Sequence, residues 1–370
     1  MSATSRSTRR EFLQGKAVLA IASEVAGDVA GPGELPQRDA KNYLLRLSRR
    51  AMACEFEVFF NAGQYERGTE TALKALDLVD CLEDQLSVFR HDSEICRLNS
   101  RAANEPVAVE PRLFALLAQA VRVHADTRGA YDITAGPLSG AWGFMRRNGS
   151  VPTPAAIAAA RDCVGSQYLE LDGTASSVRF LKPGVEINLG SIGKGYALDR
   201  CAELLAAAGI NDFLLHGGNS SVLGRGAQGS VALDQGWSVG VRNPLRPNRR
   251  IGELRLKDRA LATSGSGTQF FIHDARRYGH ILDPRSGWPA EGVLSVSTLA
   301  PTAAEADALS TAFYVMGPEQ AKAYCREHPE IAAVMLCPGK RAGSIEKHLL
   351  GLDPSDWAEI DEPLPPNPVV

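Results

Sequence analysis

"GVLSVSTLAPTAAEADALSTAFYVMGPEQAKAYCREHPEIAAVMLCPG" (residues 292–339) decides the fold class. It reads as a strand, a helix, a second helix and a strand. In residues 303–317, Leu309, Ala312, Phe313 and Met316 recur at about 100° per residue, the stripe of a helix with one apolar side. The opposite side carries Asp307, Ser310, Thr311 and Tyr314. An ordinary solvated face would carry Lys, Arg and Glu, so this one poses the question of what it faces.

The rest of the chain mixes helices and strands in the same irregular way. "EFEVFF" (residues 55–60) alternates in part and reads as a strand. "GTETALKALDLVDCLEDQLSVF" sets Ala72, Leu73, Leu76, Val79, Leu82 and Leu86 at helical spacing. Residues 111–129 form a second helix, with Pro111 at its start and Gly129 beyond its end. Residues 153–165 form a third, capped at or near Thr153. Short strands with turns at Asp172-Gly173 and Pro183-Gly184 follow. "KGYALDRCAELLAAAGI" is a helix, and "DFLLHGG", "GWSVGVRNP", "IGELRLKD", "RALATSG" and "QFFIHD" are strands. No regular βαβ alternation runs through this order, which indicates an α+β fold. Residues 1–40 read as leader and linker, residues 43–350 as one globular domain, and residues 351–370 as a loose tail.

Bulk properties narrow the function classes. The 370 residues suffice for a sizeable core. Hydrophobic content of 44% and charged content of 22% describe a globular body. A net charge of −3 without a long basic run argues against nucleic acid as a partner. No stretch reaches the roughly 18 apolar residues of a membrane span. The seven cysteines include no C-x-x-C pair, which leaves zinc and a dense disulfide framework unsupported. "STRREFLQ" (residues 7–14) resembles a twin-arginine export signal. Its sequel reaches Glu24 after a short apolar run, near the lower limit of the roughly 7–15 residues such a signal needs. The expected location is periplasmic or membrane-associated through that export route, with a leader on a protein that stays in the cytoplasm as the alternative.

Polar chemistry concentrates in glycine-rich loops. "GAYDITAGPLSGAWGF" (residues 129–144) lets a backbone approach a ligand, and Asp132 could bind that ligand or cap its own turn through Thr134. "EINLGSIGKGYALDR" (residues 186–200) ends a strand, turns on glycines and opens a helix with Lys194 in its first turn. Amides at a helix N-terminus favour anions, and the lysine adds charge. "HGGNSSVLGRG" and "ATSGSGTQFF" are further clusters, the latter offering Thr263, Ser264 and Ser266. "GHILDPRSGWP" places His280 three residues before Asp283. Together these suggest a site for a large polyphosphate ligand. Asp307 and Thr311, at i and i+4, point the same way and could form half of a hard-cation site. The alternative is that Thr311 bonds its own helix while Asp307 caps or meets water.

Taken together, these motifs resemble the ApbE family of FAD:protein FMN transferases. The matching segments are "MAC", "LSVFRHDSEICRLN", "GAYDITAGPLSGAWGF", "INLGSIGKGYALD", "LLHGGNSSVLGRG", "ATSGSGTQFF", "HILDPRSGWP" and "APTAAEADALSTAFYVMG". They fall in the family's order across about residues 50–318. The resemblance implies an ApbE-like α+β fold, with FAD and Mg²⁺ in a cleft between two packed lobes. It implies transfer of the FMN half of FAD to a Ser or Thr hydroxyl of a target protein, with release of AMP. An electron-transfer flavoprotein is the expected target.

By the same resemblance, Asp307, Thr311 and the nearby Ser310 supply metal ligands, and Ser191 contributes through its backbone carbonyl. FAD contacts fall to Met52, Phe89, Ala130, Tyr131, Asp132, Asn188, Lys194 and Leu282. His280 and Asp283 lie near the reacting phosphates, Asp283 being the preferred proton acceptor. Two positions depart from the family's pattern. Asn188 stands where Asp is usual, which keeps hydrogen bonding and loses charge. Phe89 stands where a tyrosine or another polar residue occurs; it can stack on a ring but has no hydroxyl. A Mg²⁺-dependent FAD pyrophosphatase and a non-catalytic FAD-binding protein are the competing readings.

Overall fold

The alternation read in residues 55–60 sends side chains to both faces of a sheet. In a computed structural model, which describes residues 43–229, 236–267 and 269–363, β1 (Leu44–Ala51) and β2 (Cys54–Asn61) form an antiparallel hairpin. The expected leader and its twin-arginine motif lie outside the described residues. The two-residue turn holds Met52 and Ala53 at φ 48° and 59°. Such turns favour Asn-Gly because both positions need positive φ. Met-Ala there stores backbone strain of order 1 kcal/mol per residue.

Helix α1 (Gly68–Leu86) follows, with Ala72, Leu76, Val79, Leu82 and Leu86 buried as the spacing requires. Leu73, placed in that series by sequence, is exposed. Next come α2 (Glu94–Arg101), β3 (Val107–Ala108) and α3 (Pro111–Asp126). Pro111 opens α3 without the loss of a hydrogen bond, since the first helical N–H has no partner in any case. Then α4 (Gly136–Ala141) and α5 (Pro154–Asp162) lead into β4 (Leu169–Asp172) and β5 (Ser177–Phe180). Thr153 caps α5 by accepting from the Ala156 amide at 3.2 Å.

Helix α6 (Gly193–Ala207) precedes β6 (Phe213–Gly217), β7 (Ser221–Arg225), β8 (Trp237–Arg242), β9 (Arg249–Leu256) and β10 (Arg259–Gly265). The hairpin β11 (Phe270–His273) and β12 (Arg276–Gly279) is followed by β13 (Ser295–Ala300). Helix α7 (Ala303–Glu327) holds both helices read in residues 303–328, broken at Gly317 (φ 77°, ψ 174°) with Pro318 starting the second part. The chain ends with β14 (Ala332–Pro338), β15 (Ile345–Leu350) and β16 (Trp357–Pro363). The expected loose tail is corrected here: Trp357–Pro363 pairs antiparallel with β9.

An eight-stranded sheet in the order β1-β2-β6-β7-β10-β13-β14-β15 forms the frame. Every pairing in it is antiparallel. This arrangement, with helices gathered on one side, is α+β as the irregular element order indicates. Alternate residues feed two cores. Val58, Leu215, Ala262 and Val296 pack with α1, α6 and α7 on one face. Phe59, Leu214, Leu261 and Leu299 pack on the other against the small sheet β16-β9-β8 through Trp237, Val239 and Leu254. A third cluster joins α4, α5 and the β11–β12 hairpin around Trp142. No helix among the described residues is long and apolar enough to cross a membrane.

Candidate active site

A cleft of about 1110 Å³ touches both cores. That exceeds the roughly 300–1,000 Å³ of an ordinary small-molecule pocket and suits a long ligand. One part is lined by Met52, Leu86, Phe89, Asn188 and Lys194. Phe89 is 71% exposed there, an aromatic face left free to stack. The other part is lined by residues of β8, β9, β10 and β13.

Directly behind the Lys194 wall lies the polar face of α7, and it does not look at water. Asp307 and Ser310 are buried. Asp307 Oδ2 accepts from the Gly195 amide at 2.7 Å, and Oδ1 accepts from Ser221 Oγ at 2.6 Å. Each oxygen keeps a further lone pair, since a carboxylate offers about four acceptor sites. Ser264 Oγ stands 2.8 Å from Ser310 Oγ and 3.2 Å from Thr311 Oγ1. Ser310 donates back to the Asp307 carbonyl at 2.9 Å, and Thr311 to the same oxygen at 3.4 Å. The local back-bond weighed for Thr311 therefore forms, alongside the shared hydroxyl cluster. Burial raises the Asp307 carboxyl above its ordinary range; Lys194, Ser221 and Gly195 offset part of that.

The glycine-rich turn before α6 brings the cation to this carboxylate. Asn188 Oδ1 accepts from the Gly190 amide at 2.9 Å, an Asx-type turn that starts the bend. Its side-chain NH₂ then remains as the cleft-wall donor. Gly195 marks the crossing of α6 and α7: a Cβ there would sit 2.0 Å from the Ala303 carbonyl oxygen. That close approach is what lets the Gly195 amide reach Asp307. Asp199, one helical turn on, caps α7 by accepting from Ala303 and Ala304 at 2.8 and 2.9 Å. Burial pushes its carboxyl up to about 7 despite those two donors. Lys194 Nζ donates to Ser220 Oγ. Ser191 Oγ donates to the buried Tyr131 hydroxyl at 3.4 Å.

His280 and Asp283 separate in role. The His280 Nδ1 lies 3.0 Å from the carbonyl of Gln269, a cleft residue. A carbonyl only accepts, so Nδ1 carries the hydrogen and Nε2 keeps its lone pair. Burial lowers the imidazole below its ordinary value; the Gln269 contact opposes this and the Lys194 charge adds to it. Asp283 is instead clamped by Arg285, which donates from its amide, Nε and Nη2 at 2.9, 2.9 and 3.0 Å. That clamp ties Asp283, the expected proton acceptor, into its own turn.

Four of the expected FAD contacts, Ala130, Tyr131, Asp132 and Leu282, are buried and do not line the cleft. The Asp132 carboxylate accepts from the Thr134 amide and hydroxyl at 2.8 and 2.7 Å, and from Ser166 N and Oγ at 3.0 and 2.9 Å. His124 Nδ1 lies 3.0 Å away. Burial would raise this carboxyl, but His124 and Thr134 hold it below the usual range. Of the two uses weighed for Asp132, the structure fills the turn-capping one. Leu282 is buried in the Trp142 cluster. Sequence reading missed Ser220 and Ser221, the partners of Lys194 and Asp307, although "NSS" beside a glycine pair after a strand was the available signal. It also missed Arg147, Arg242 and Arg250, three cations on the cleft wall.

Comparison with known proteins agrees with this geometry. A profile described as the ApbE family matches residues 52–335. A Salmonella typhimurium protein named FAD:protein FMN transferase is 34% identical over 269 residues, covering 70% of this chain and 75% of that protein. A Vibrio cholerae protein of the same name is 33% identical over 264 residues, covering 70% and 77%. The crystal structure of an ApbE protein from Thermotoga maritima superposes with a TM-score of 0.74 at 30% identity, covering 82% of this chain and 97% of that one. The flavin transferase ApbE from Vibrio cholerae gives a TM-score of 0.72 at 26% identity, covering 83% and 97%.

Proposed function

This chain belongs to the ApbE family, and from that premise we propose that it is an FAD:protein FMN transferase that uses Mg²⁺. The observation carrying this reading is the buried Asp307, with spare acceptor sites, amid Ser264, Ser310 and Thr311 and beside Lys194. Among the described residues no three His, Cys, Asp or Glu side chains gather as a metal site. One carboxylate with a few hard oxygens suits Mg²⁺, which takes few protein ligands and completes its shell with water and phosphate. Asp307, Thr311, Ser310 and Ser191 would hold it. When bound, it would neutralise charge on the FAD pyrophosphate.

The chain's own residues do the rest. Lys194 pairs with the pyrophosphate, while Met52, Phe89 and the Asn188 amide line the flavin nucleotide's path. A Ser or Thr hydroxyl of the acceptor, expected to be an electron-transfer flavoprotein, attacks the phosphorus of the FMN half. Its oxygen forms the new P–O bond as the bond to AMP breaks, and AMP leaves with the bridging oxygen. His280 Nε2 accepts the hydroxyl proton.

The test is mass spectrometry of a Thr-containing acceptor peptide incubated with the protein, FAD and Mg²⁺, with AMP followed in parallel. An FMN adduct with matching AMP is expected. Asp307→Asn should lower the rate by at least about a hundredfold, while FAD affinity falls less. Free FMN and AMP without an adduct would replace transfer by hydrolysis, the pyrophosphatase alternative. Intact FAD after long incubation would leave a binding protein only.

A further inference from the structure

The cleft lining carries more positive charge than a pyrophosphate site explains. Among the described residues, Lys194, Arg147, Arg242 and Arg250 line it, against a single acidic residue, Glu83. Glu83 is itself paired with Arg90 at 2.9 Å. Lys194 belongs to the Asp307 end. Arg242 and Arg250 belong to the other core, on the small sheet.

Those two arginines are directly opposite each other in the β8–β9 register. Like charges in facing positions destabilise a sheet. Here an irregularity creates the pairing. Val241 faces Gly252, and the next residue, Arg242, faces Arg250, so Ile251 is the extra residue of a β-bulge. Without that bulge Arg242 would face Ile251. Bulges re-aim side chains and concentrate beside functional sites.

The two cations are unequally neutralised. Arg250 donates to Glu253 at 3.4 Å and to Glu362 of β16 at 3.0 Å. Its Nε is buried and meets no acceptor among the described residues. The Arg250 stem lies over Gly240, where a Cβ would sit 2.5 Å from its Cδ, so the side chain is held against the cleft wall. Arg242 is exposed and faces no carboxylate within ion-pair distance among the described residues. An unpaired arginine beside a second one is a fork for a carboxylate. The same cleft is also lined by the apolar Val239, Val241 and Leu261 and by Thr263 and Ser297.

We propose that this part of the cleft docks the acceptor protein, and that Arg242 with Arg250 selects an acceptor segment carrying Asp or Glu beside its Ser or Thr. The inference rests on the transferase reading above. The acidic side chain relieves the arginine–arginine repulsion on arrival. The apolar walls take neighbouring side chains of an extended segment, and its hydroxyl is carried along the same cleft toward Lys194 and Asp307. Arg242 thereby sets acceptor specificity.

The test uses the full chain with FAD and Mg²⁺. Two fluorescent synthetic peptides serve as probes, each with one threonine, identical except that the flanking positions are Asp in one and Asn in the other. Fluorescence anisotropy reads docking, FAD titration reads cofactor-site integrity, and AMP release reads chemistry. The Asp peptide should bind about tenfold more tightly, the equivalent of about 1.4 kcal/mol, and the difference should shrink with added salt. Arg242→Gln should abolish the preference and Arg242→Glu should reverse it. Equal binding of the two peptides to the unaltered protein overturns the proposal, as does a preference that survives both variants. Weakened FAD binding in Arg242→Gln would assign this compartment to FAD and overturn it as well. If no mixture releases AMP, the transferase reading fails, while the anisotropy comparison still decides the docking site.

Discussion

His280 and Asp283 lie three residues apart in one turn, and their surroundings give them opposite aptitudes. Asp283 is held in an ion pair with Arg285, whereas the half-buried imidazole is fixed as the tautomer with a free Nε2. Because its acidity constant is displaced downward, the neutral, proton-accepting form persists as pH falls below the ordinary value of about 6.5. Activity is therefore full above that value and is lost as pH falls through the lowered one. A pH profile of AMP release at saturating FAD should show this acid limb below about 6.5. His280→Gln should remove the limb and reduce the rate by roughly 10²–10⁴, and Asp283→Asn should preserve the limb's position. A limb unchanged in His280→Gln would remove His280 from proton transfer. The sequence carried the pairing of Asp307 with Thr311, since i and i+4 fix a shared face. It could not carry the different surroundings of His280 and Asp283, because their partners are Gln269 and Arg285, whose orientation depends on how the turn folds. Asp132 illustrates the same limit. Its two uses are equal in sequence, and only Ser166 and His124 arriving from elsewhere in the chain fill its carboxylate.

At the scale of elements, the site is a crossing of two helices held at backbone contact. Gly195, in the first turn of α6, permits it: the Cβ of an alanine there would meet the carbonyl carbon and oxygen of Ala303 and the amide of Ala304, at 2.3, 2.0 and 2.6 Å. None of these atoms can rotate away as a side chain could. Gly195→Ala should therefore push α6 and α7 apart, costing about 1–3 kcal/mol. At about 2–4 °C per kcal/mol for a domain of this size class, melting should fall by several degrees. Turnover should fall further than stability, because the Gly195 amide would withdraw from Asp307. Gly140→Ala in α4, where an added Cβ meets nothing within 4 Å, is the control and should melt no lower than the parent. Equal melting temperatures for the two variants would refute the crossing as the site's foundation. Helices with long apolar stripes, such as α1, were legible because periodicity survives without tertiary context. The short α2 was not read as a helix, although Ser93 accepts from the Cys96 amide at 2.9 Å as its cap. Eight residues give too few turns for a stripe to stand out.

Across the whole molecule, the cleft depends on a segment that sequence reading set aside. Residues 351–370 looked like a tail because Pro-rich "DEPLPPNPVV" dominates them, yet Trp357–Pro363 completes the small sheet. This strand also lies beyond the matched family span of 52–335. Its contributions are long-range and so invisible to local pattern. Trp357 fills the space that Gly252 leaves in β9, where a Cβ would come within 2.0 Å of the indole. Glu362 anchors Arg250. Of the large sheet, β2, β6, β10, β13 and β14 were legible as local β-rich runs, whereas β1, β7 and β15 were not read as strands. This division leads to a prediction about the two parts of the cleft. Trp357→Ala should loosen β9 against β16 and cost about 1–3 kcal/mol, less than for a fully buried tryptophan. FAD affinity should stay within about twofold, since no residue of β16 lines the cleft and distant sites act nearly additively. Binding of the Asp-bearing peptide should weaken severalfold as Arg250 loses its fixed position. Isothermal titration of both ligands against the variant reads the two effects separately. Equal weakening of FAD and peptide would mean that the small sheet supports the cleft as one unit, and the division of labour between its two ends would fall. Weakening of the peptide alone would place acceptor recognition on the β8–β9–β16 wall, leaving flavin binding to the helix crossing.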